Sequence, residues 1–308
     1  MNERVLIAGG SGFIGQALCR SLLESDYEVV VLSRRSARPV DSHPRVSVLQ
    51  WDGRGCDNWS DIADGAKAIV NLAGESIAAG RWTGKRKQRM VSSRIDAAGA
   101  VAEAVRRAKQ KPGVVIQASA VGYYGNRHDE QLDETSSPGE GFLAKLCRQW
   151  EQATEGITQQ GVRLVIARIG VVLGRDGGML DQVVTPFRFF MGGCPGSGRP
   201  WLSWIHIADL AAAVRFMIER DDLEAVFNLT APRPATTKTF YKTLARAIRR
   251  PCWAPLPGWL LKLALGEMAK EMILAGQKVV PNRLLDAGFP FQYGKLNEAL
   301  NDLLGASS

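Results

Sequence analysis

Val5-Leu6-Ile7-Ala8-Gly9-Gly10-Ser11-Gly12-Phe13-Ile14-Gly15 stands almost at the start of the chain. The apolar run before the glycines predicts a buried parallel strand. Phe13, Ala17, Leu18 and Leu22 then recur at helical spacing. Each glycine of this G-x-x-G-x-x-G pattern has a mechanical use. Gly9 permits a tight turn out of the strand, Gly12 lets backbone approach a pyrophosphate, and Gly15 lets the helix pack on the sheet. Backbone N–H groups at the helix start, with the positive end of its dipole, suit phosphates. The turn residues Gly9, Ser11, Gly12, Phe13, Ile14 and Gly15 are therefore expected to hold a dinucleotide.

Outward from this turn the pattern repeats. Further apolar or β-branched runs fall at 28–32, 46–51, 68–72, 114–118 and 163–169. Helical stretches are expected over about 85–109 and 141–160. Strands alternating with helices predict an α/β fold, a Rossmann-type doubly wound parallel sheet. After about Gly174 the alternation weakens. Gly177-Gly178 and the stretch from Gly192 to Pro200 are expected to be loops. A helix over about 207–219, a strand near 227–230 and a helix over 237–249 follow. The expected division is 1–175 for the Rossmann domain, with about 200–230 returning to it. Residues 176–308 form a smaller mixed α/β substrate-side domain.

The end of the second strand distinguishes NAD from NADP. An NAD site places a carboxylate there for the ribose 2′-OH. This chain has Ser33-Arg34-Arg35. A guanidinium grips a 2′-phosphate in bidentate fashion and Ser33 can donate as well, so the expected cofactor is NADP. Asp52, after the third strand, is a candidate for the adenine amino group. Leu72-Ala73-Gly74 after Asn71 closes the fourth strand, where small residues let backbone lie against the cofactor ribose.

Composition excludes several classes. The 308 residues are 45% hydrophobic and 23% charged, ordinary for a globular chain. The net charge is +8, but the basic residues are spread along the chain. The densest run, Lys85-Arg86-Lys87-Gln88-Arg89, fits a solvated helix face, and no nucleic-acid partner is expected. Five scattered cysteines and three histidines argue against a disulfide framework and against a metal site. No stretch approaches a membrane span and the N-terminus is unlike a signal peptide. The expectation is a cytoplasmic monomer or homodimer with a small-molecule substrate and no membrane partner.

With these residues in place the chain resembles the extended short-chain dehydrogenase/reductase superfamily. Tyr123-Tyr124-Gly125 and Trp204-Ile205-His206-Ile207-Ala208-Asp209-Leu210 add to the likeness. More narrowly it resembles an atypical branch of "epimerase family" proteins, akin to NAD-dependent epimerases and dehydratases, with a small C-terminal domain. Asn71-Leu72-Ala73-Gly74-Glu75, Arg81-Trp82, Ser93-Arg94, Gly192-Gly193 with Gly196-Ser197-Gly198, and Gly276-Gln277-Lys278-Val279-Val280-Pro281 carry that resemblance. It implies NADP binding, with Ser33, Arg34, Leu72, Ala73 and Arg94 near the cofactor.

The superfamily's chemistry uses a tyrosine, a lysine four residues later, and a serine or threonine. Here the helix after the fifth strand contains Phe142-Leu143-Ala144-Lys145, with Phe142 taken at the tyrosine position and Ala120 at the hydroxyl position. The resemblance thus implies a degenerate triad. Lys145 is expected to keep its ribose contact, and Tyr123, Tyr124 or Ser119, at the same carboxyl edge of the sheet, is expected to substitute as proton carrier. Arg81, Tyr124, Arg199, Trp204 and His206 are candidates to line a substrate cleft. The expected function is an NADP(H)-dependent oxidoreductase-like or epimerase-like reaction on a small, sugar-type molecule. The alternative is a non-catalytic NADP(H)-binding regulatory or scaffold protein, since some relatives are labelled cell-division inhibitors.

Overall fold

The apolar run at the N-terminus lies in the middle of the molecule because it is paired on both sides. In the computed structural model, which describes residues 3–34, 43–175, 177–253 and 256–305, the chain starts β1 (Arg4–Ala8), α1 (Phe13–Leu23), β2 (Glu28–Ser33), β3 (Val46–Gln50) and β4 (Ala68–Asn71). It continues through α2 (Gly84–Arg107), β5 (Val114–Ala120), β6 (Gln131–Leu132), α3 (Phe142–Gln152), β7 (Arg163–Ile169), β8 (Val171–Gly174) and α4 (Gly178–Arg188). Then come β9 (Trp201–Leu202), β10 (Trp204–His206), α5 (Ile207–Glu219), β11 (Ala225–Leu229), β12 (Ala235–Thr236) and α6 (Thr237–Ala247). The C-terminal part holds α7 (Gly258–Leu265), a π-helical turn Ala269–Ile273, β13 (Lys278–Val279), α8 (Asn282–Asp286) and α9 (Leu296–Leu304).

Seven parallel strands form the main sheet in the order β11-β7-β5-β4-β1-β2-β3. This is the expected doubly wound fold. Strand order reverses between β1 and β4, which opens a crevice at their carboxyl ends. β1 is in register with β2 (Ala8 beside Leu32) and with β4 (Ala8 beside Asn71). Those three strand ends therefore share one edge.

Apolar packing fills both faces of the sheet, as buried parallel strands require. On one face Val5, Ile7 and Val29 pack with Leu18 and Leu22 of α1 and with Leu210, Val214 and Met217 of α5. On the other, Leu6, Ile69 and Val115 meet Ala97, Val101 and Ala104 of α2. Burying each such Leu or Val contributes about 1.5–3 kcal/mol. A third cluster joins Leu180 and Phe187 of α4 to Phe240 and Leu244 of α6 and to Leu300 and Leu303 of α9. Helix α2 starts cleanly because the Thr83 hydroxyl accepts from the Arg86 amide at 3.2 Å.

Within 200–230, α5 and β11 join the main layers, whereas β9 and β10 pair with β12 and β8 in separate two-stranded sheets. Helix α5 lies on the α1 face, and β11 is the edge strand beside β7. Two expectations needed changing. Gly178 opens α4 rather than a loop, since the apolar positions Leu180, Val184 and Phe187 give that stretch a buried helical stripe. The helix expected over 141–160 ends at Gln152, and Glu155–Gln160 tightens into a 3₁₀ turn.

Candidate active site

The glycine turn forms a bare cradle. Gly9 has φ +81°, a left-handed backbone that glycine adopts at little cost. A Cβ on Gly9 would stand 3.1 Å from the Ala73 backbone, so the β1 turn and the end of β4 approach closely. A Cβ on Gly15 would stand 2.5 Å from Gly10 Cα, which only glycine tolerates. Gly12 caps α1 without a side-chain hydrogen bond, and no acidic residue sits in the first turn. The first N–H groups of α1 are left for an anion.

At the end of β2, the Ser33 and Ser11 hydroxyls lie 2.9 Å apart. Ser33 is buried and Arg34 is exposed. Among the described residues no carboxylate occupies this strand end. Arg35 lies outside the described residues. Asp52 is exposed and spends one carboxylate oxygen on its own turn, accepting from the Arg54 amide at 2.8 Å. At the end of β4, buried Asn71 donates to Gln117 (2.9 Å) and accepts from the Ala73 amide (3.1 Å). That bond fixes the backbone of Leu72 and Ala73. Gly74 lies against Arg94, whose Cζ is 3.0 Å from where a Cβ would sit. Arg94 also lies 5.0 Å over the Trp150 ring.

The proton-handling side differs from what the residue spacing suggested. Lys145 follows Phe142 by three residues, not four. Its four-residue partner is Gly141, which caps α3 at φ +100° and has no side chain. Phe142 packs edge-on to Trp82 at 5.1 Å, within an apolar cluster that includes Met90 and Met268. Lys145 is exposed on the first turn of α3.

Ser119 is buried and donates to Glu151 Oε1 at 2.6 Å. Glu151 also holds Arg168 in a bidentate pair, both bonds 2.9 Å. Arg168 donates on to the Tyr124 hydroxyl (3.0 Å), which donates to Asn228 (2.7 Å). The Asn228 backbone N–H donates to Glu134 Oε1 (3.0 Å), and its side-chain Nδ2 donates to the Val280 carbonyl (3.1 Å). Burial works against the Arg168 charge, but the hydrogen bonds and charge of Glu151 outweigh it and raise its pKa. Burial pushes Tyr124 and Glu134 above their ordinary ranges, and lifts the Cys147 thiol to about 11. Tyr123 is different. It is half-buried, its ring lies 3.4 Å from Arg168 Cζ, and among the described residues its hydroxyl takes no protein hydrogen bond.

Three residues expected to line a cleft do not. Tyr124 is fully buried, with its hydroxyl used twice in the network. Trp204 is fully buried, its indole donating to the Arg233 carbonyl at 3.1 Å. His206 is buried and caps α5, its Nδ1 accepting from the Ala208 amide at 3.1 Å. A 3₁₀ turn after β5, the strand β10 and the entry of α5 claimed those side chains for the interior. Arg81 and Arg199 are exposed, Arg81 beside Gly266 and Arg199 in the loop before β9.

Glu271 escaped the sequence reading. From the π-helical turn it accepts the Phe142 and Leu143 amides at 2.8 and 2.9 Å, so it caps α3 from the C-terminal part. The Lys87–Glu267 pair, at 2.7 Å, ties the same segment to α2. Glu151 and Arg168 were missed as well. A charged residue inside the apolar β7 run was the available signal for Arg168.

Comparison with known proteins agrees with this geometry. Residues 5–230 match the family model described as NAD dependent epimerase/dehydratase family, and residues 256–303 match a domain of unknown function, DUF1731. Epimerase family protein YfhF of Bacillus subtilis is 39% identical over 301 residues, covering 97% of each chain. The chloroplastic homolog of epimerase family protein SDR39U1 in Arabidopsis thaliana is 35% identical, covering 97% of this chain and 86% of that protein. The crystal structure of human epimerase family protein SDR39U1 with NADPH superposes with a TM-score of 0.88 at 33% identity, covering 98% and 99% of the two chains. The chain belongs to the NAD-dependent epimerase/dehydratase family.

Proposed function

We propose that this chain binds NADP(H) and uses it to exchange hydride and proton at a hydroxyl- or carbonyl-bearing carbon of a small, sugar-type substrate. The observation that carries the reading is the bare glycine cradle closed by the Ser11–Ser33 hydroxyl pair, with Arg34 rather than a carboxylate at the end of β2. The NADPH in the human relative supports the same choice.

In this reading the amides at the start of α1 bind the diphosphate, and Ser33 and Arg34 bind the 2′-phosphate. Leu72, Ala73 and Gly74 offer backbone to the ribose, with Arg94 behind Gly74. When bound, the nicotinamide supplies the hydride acceptor or donor. Tyr123 carries the proton at the reacting oxygen, because Tyr124 and Ser119 have their protons committed to Asn228 and Glu151. Arg168 holds the Tyr123 ring from its face. Lys145 reaches the ribose, and Arg81 and Arg199 meet an anionic part of the substrate.

Titration of tryptophan fluorescence tests the cofactor. NADPH should bind more tightly than NADH, and Arg34→Ala should weaken NADPH by roughly 10- to 100-fold, the value of one or two charge-assisted bonds. NADH should be unaffected. Equal affinities in the wild type would refute the 2′-phosphate assignment. In a screen of carbonyl compounds and sugar nucleotides with NADPH, Tyr123→Phe should lower kcat about 100-fold or more with NADPH affinity retained. Unchanged kcat would remove Tyr123 from the chemistry.

A further inference from the structure

Charge and exposed apolar surface are both concentrated at one side of the C-terminal part. Between Glu224 and Glu267 the sequence has no Asp or Glu but seven Lys or Arg residues. From Gln182 to Ala208 there is again no acid, with Arg188 and Arg199 present. These two acid-free stretches are neighbours in space. The Trp253 indole donates to the Phe190 carbonyl at 3.1 Å, and Arg250 lies 4.7 Å over the Phe190 ring. The Leu256 amide donates to the Cys194 carbonyl at 3.2 Å, and the Gly196 amide donates to the Leu256 carbonyl at 2.9 Å.

Large apolar side chains stand out from this surface. Phe189, Phe190, Met191, Trp253, Trp259 and Leu263 are between 54% and 70% exposed. Helix α7 buries none of its residues. Trp259 and Leu263, four apart and so on one helix face, are among its most exposed, with Lys262 exposed beside them. Phe190 holds φ +59°, a backbone that costs a non-glycine residue about 1 kcal/mol or more. A soluble surface rarely keeps so many large apolar groups together without an occupant.

We propose that this face docks on an anionic lipid bilayer surface, with α7 lying in the headgroup layer. Trp253, Trp259, Leu263 and the Phe189–Met191 run enter the interface, and Arg188, Arg249, Arg250 and Lys262 meet the lipid phosphates. Two tryptophans at the edge of an apolar face suit the boundary between headgroup and acyl chain. Cations at that face, Arg250 over Phe190 and Lys262 on α7 among them, suit a negative surface and add about 1 kcal/mol each near it. A second copy of the chain fits less well, because the same acid-free face on both copies would offer the cations no carboxylate partners. Among the described residues no helix is long and apolar enough to cross a membrane, and eight-residue α7 lies on the bilayer rather than through it. The expectation of no membrane partner followed from basic residues spread along the sequence and from the lack of a spanning segment, whereas the fold brings two acid-free stretches side by side.

The test is vesicle flotation of the full-length chain saturated with NADPH. Phosphatidylcholine vesicles are compared with phosphatidylcholine vesicles containing one-third phosphatidylglycerol. The chain should float with the anionic vesicles, at least ~10-fold less with neutral ones, and should be released by high salt. Trp253→Ser with Trp259→Ser should cut anionic binding by at least ~10-fold while far-ultraviolet dichroism and NADPH affinity stay as in the wild type. Arg249→Gln with Arg250→Gln gives the same reading if the tryptophan variant does not fold. Absence of flotation, or flotation unchanged in both variants, overturns the proposal. So does a dimer in sedimentation equilibrium that the tryptophan variant splits, with no vesicle binding, which would give the face to a second copy.

Discussion

His206 shows how one side chain is diverted from chemistry into structure. Its Nδ1 caps α5, its ring stacks on Tyr293 at 3.8 Å, and its Nε2 lies 3.3 Å from Asp302 Oδ2, at ion-pair distance without hydrogen-bond alignment. Burial lowers its pKa below the ordinary 6.5, more than Asp302 and Asp209 raise it. Protonation is therefore harder in the folded chain than in the unfolded one. The unfolded state binds the extra proton, so stability from this group is full above pH 6.5 and is lost as pH falls below it. Thermal midpoints should drop on acidification from pH 7 to 5. His206→Asn, which can still cap α5, should flatten that part of the profile even if its midpoint is lower throughout. A profile of the same slope in the variant would assign the acid sensitivity elsewhere.

At the level of elements, α3 is where the C-terminal segment meets the layers of the main sheet. Its N-terminus has no cap of its own, since Gly141 offers no side chain, and the Glu271 carboxylate arrives from 128 residues away to accept two amides. A negative group at a helix N-terminus is favoured by the dipole as well as by the hydrogen bonds. Glu271→Ala should lower stability by about 1–2 kcal/mol. Amide hydrogen exchange at Phe142 and Leu143 should quicken, whereas exchange in β1 and β4 should not. Unchanged protection at those two amides would mean that the capping contact contributes nothing in solution. The same helix brings Glu151 under Ser119 and Arg168, so its placement also sets the polar network beneath Tyr123.

At the level of the whole molecule, the chain crosses repeatedly between its layers. β10 joins β8, β11 completes the main sheet, β13 pairs with β6, and the Asp209 carboxylate on α5 accepts the Gln292 and Tyr293 amides at 2.9 Å. These pairings tie the C-terminal segment to the layers of the main sheet. Calorimetry should therefore show one cooperative transition, and NADPH at 100 times its dissociation constant should stabilise the fold by about 2.7 kcal/mol. Two separated transitions, with NADPH shifting only one, would show that the parts melt independently.

The sheet was legible in the residues because its signals are local. Each buried parallel strand is a short apolar run, and Gly9, Gly12 and Gly15 mark a turn whose geometry admits little else. Ser33-Arg34 at the end of β2 was legible for the same reason, because its meaning comes from the strand just before it. The fates of Tyr124, Trp204 and His206 were not local. Tyr124 was claimed by Asn228, 104 residues on, and His206 by Tyr293 and Asp302 of the C-terminal part. By itself, then, the sequence determined the parallel sheet and the cradle at its reversal point, where backbone and near neighbours suffice. Only the tertiary structure decided which polar side chains keep a proton to give, because burial and partners come from segments that no spacing rule connects.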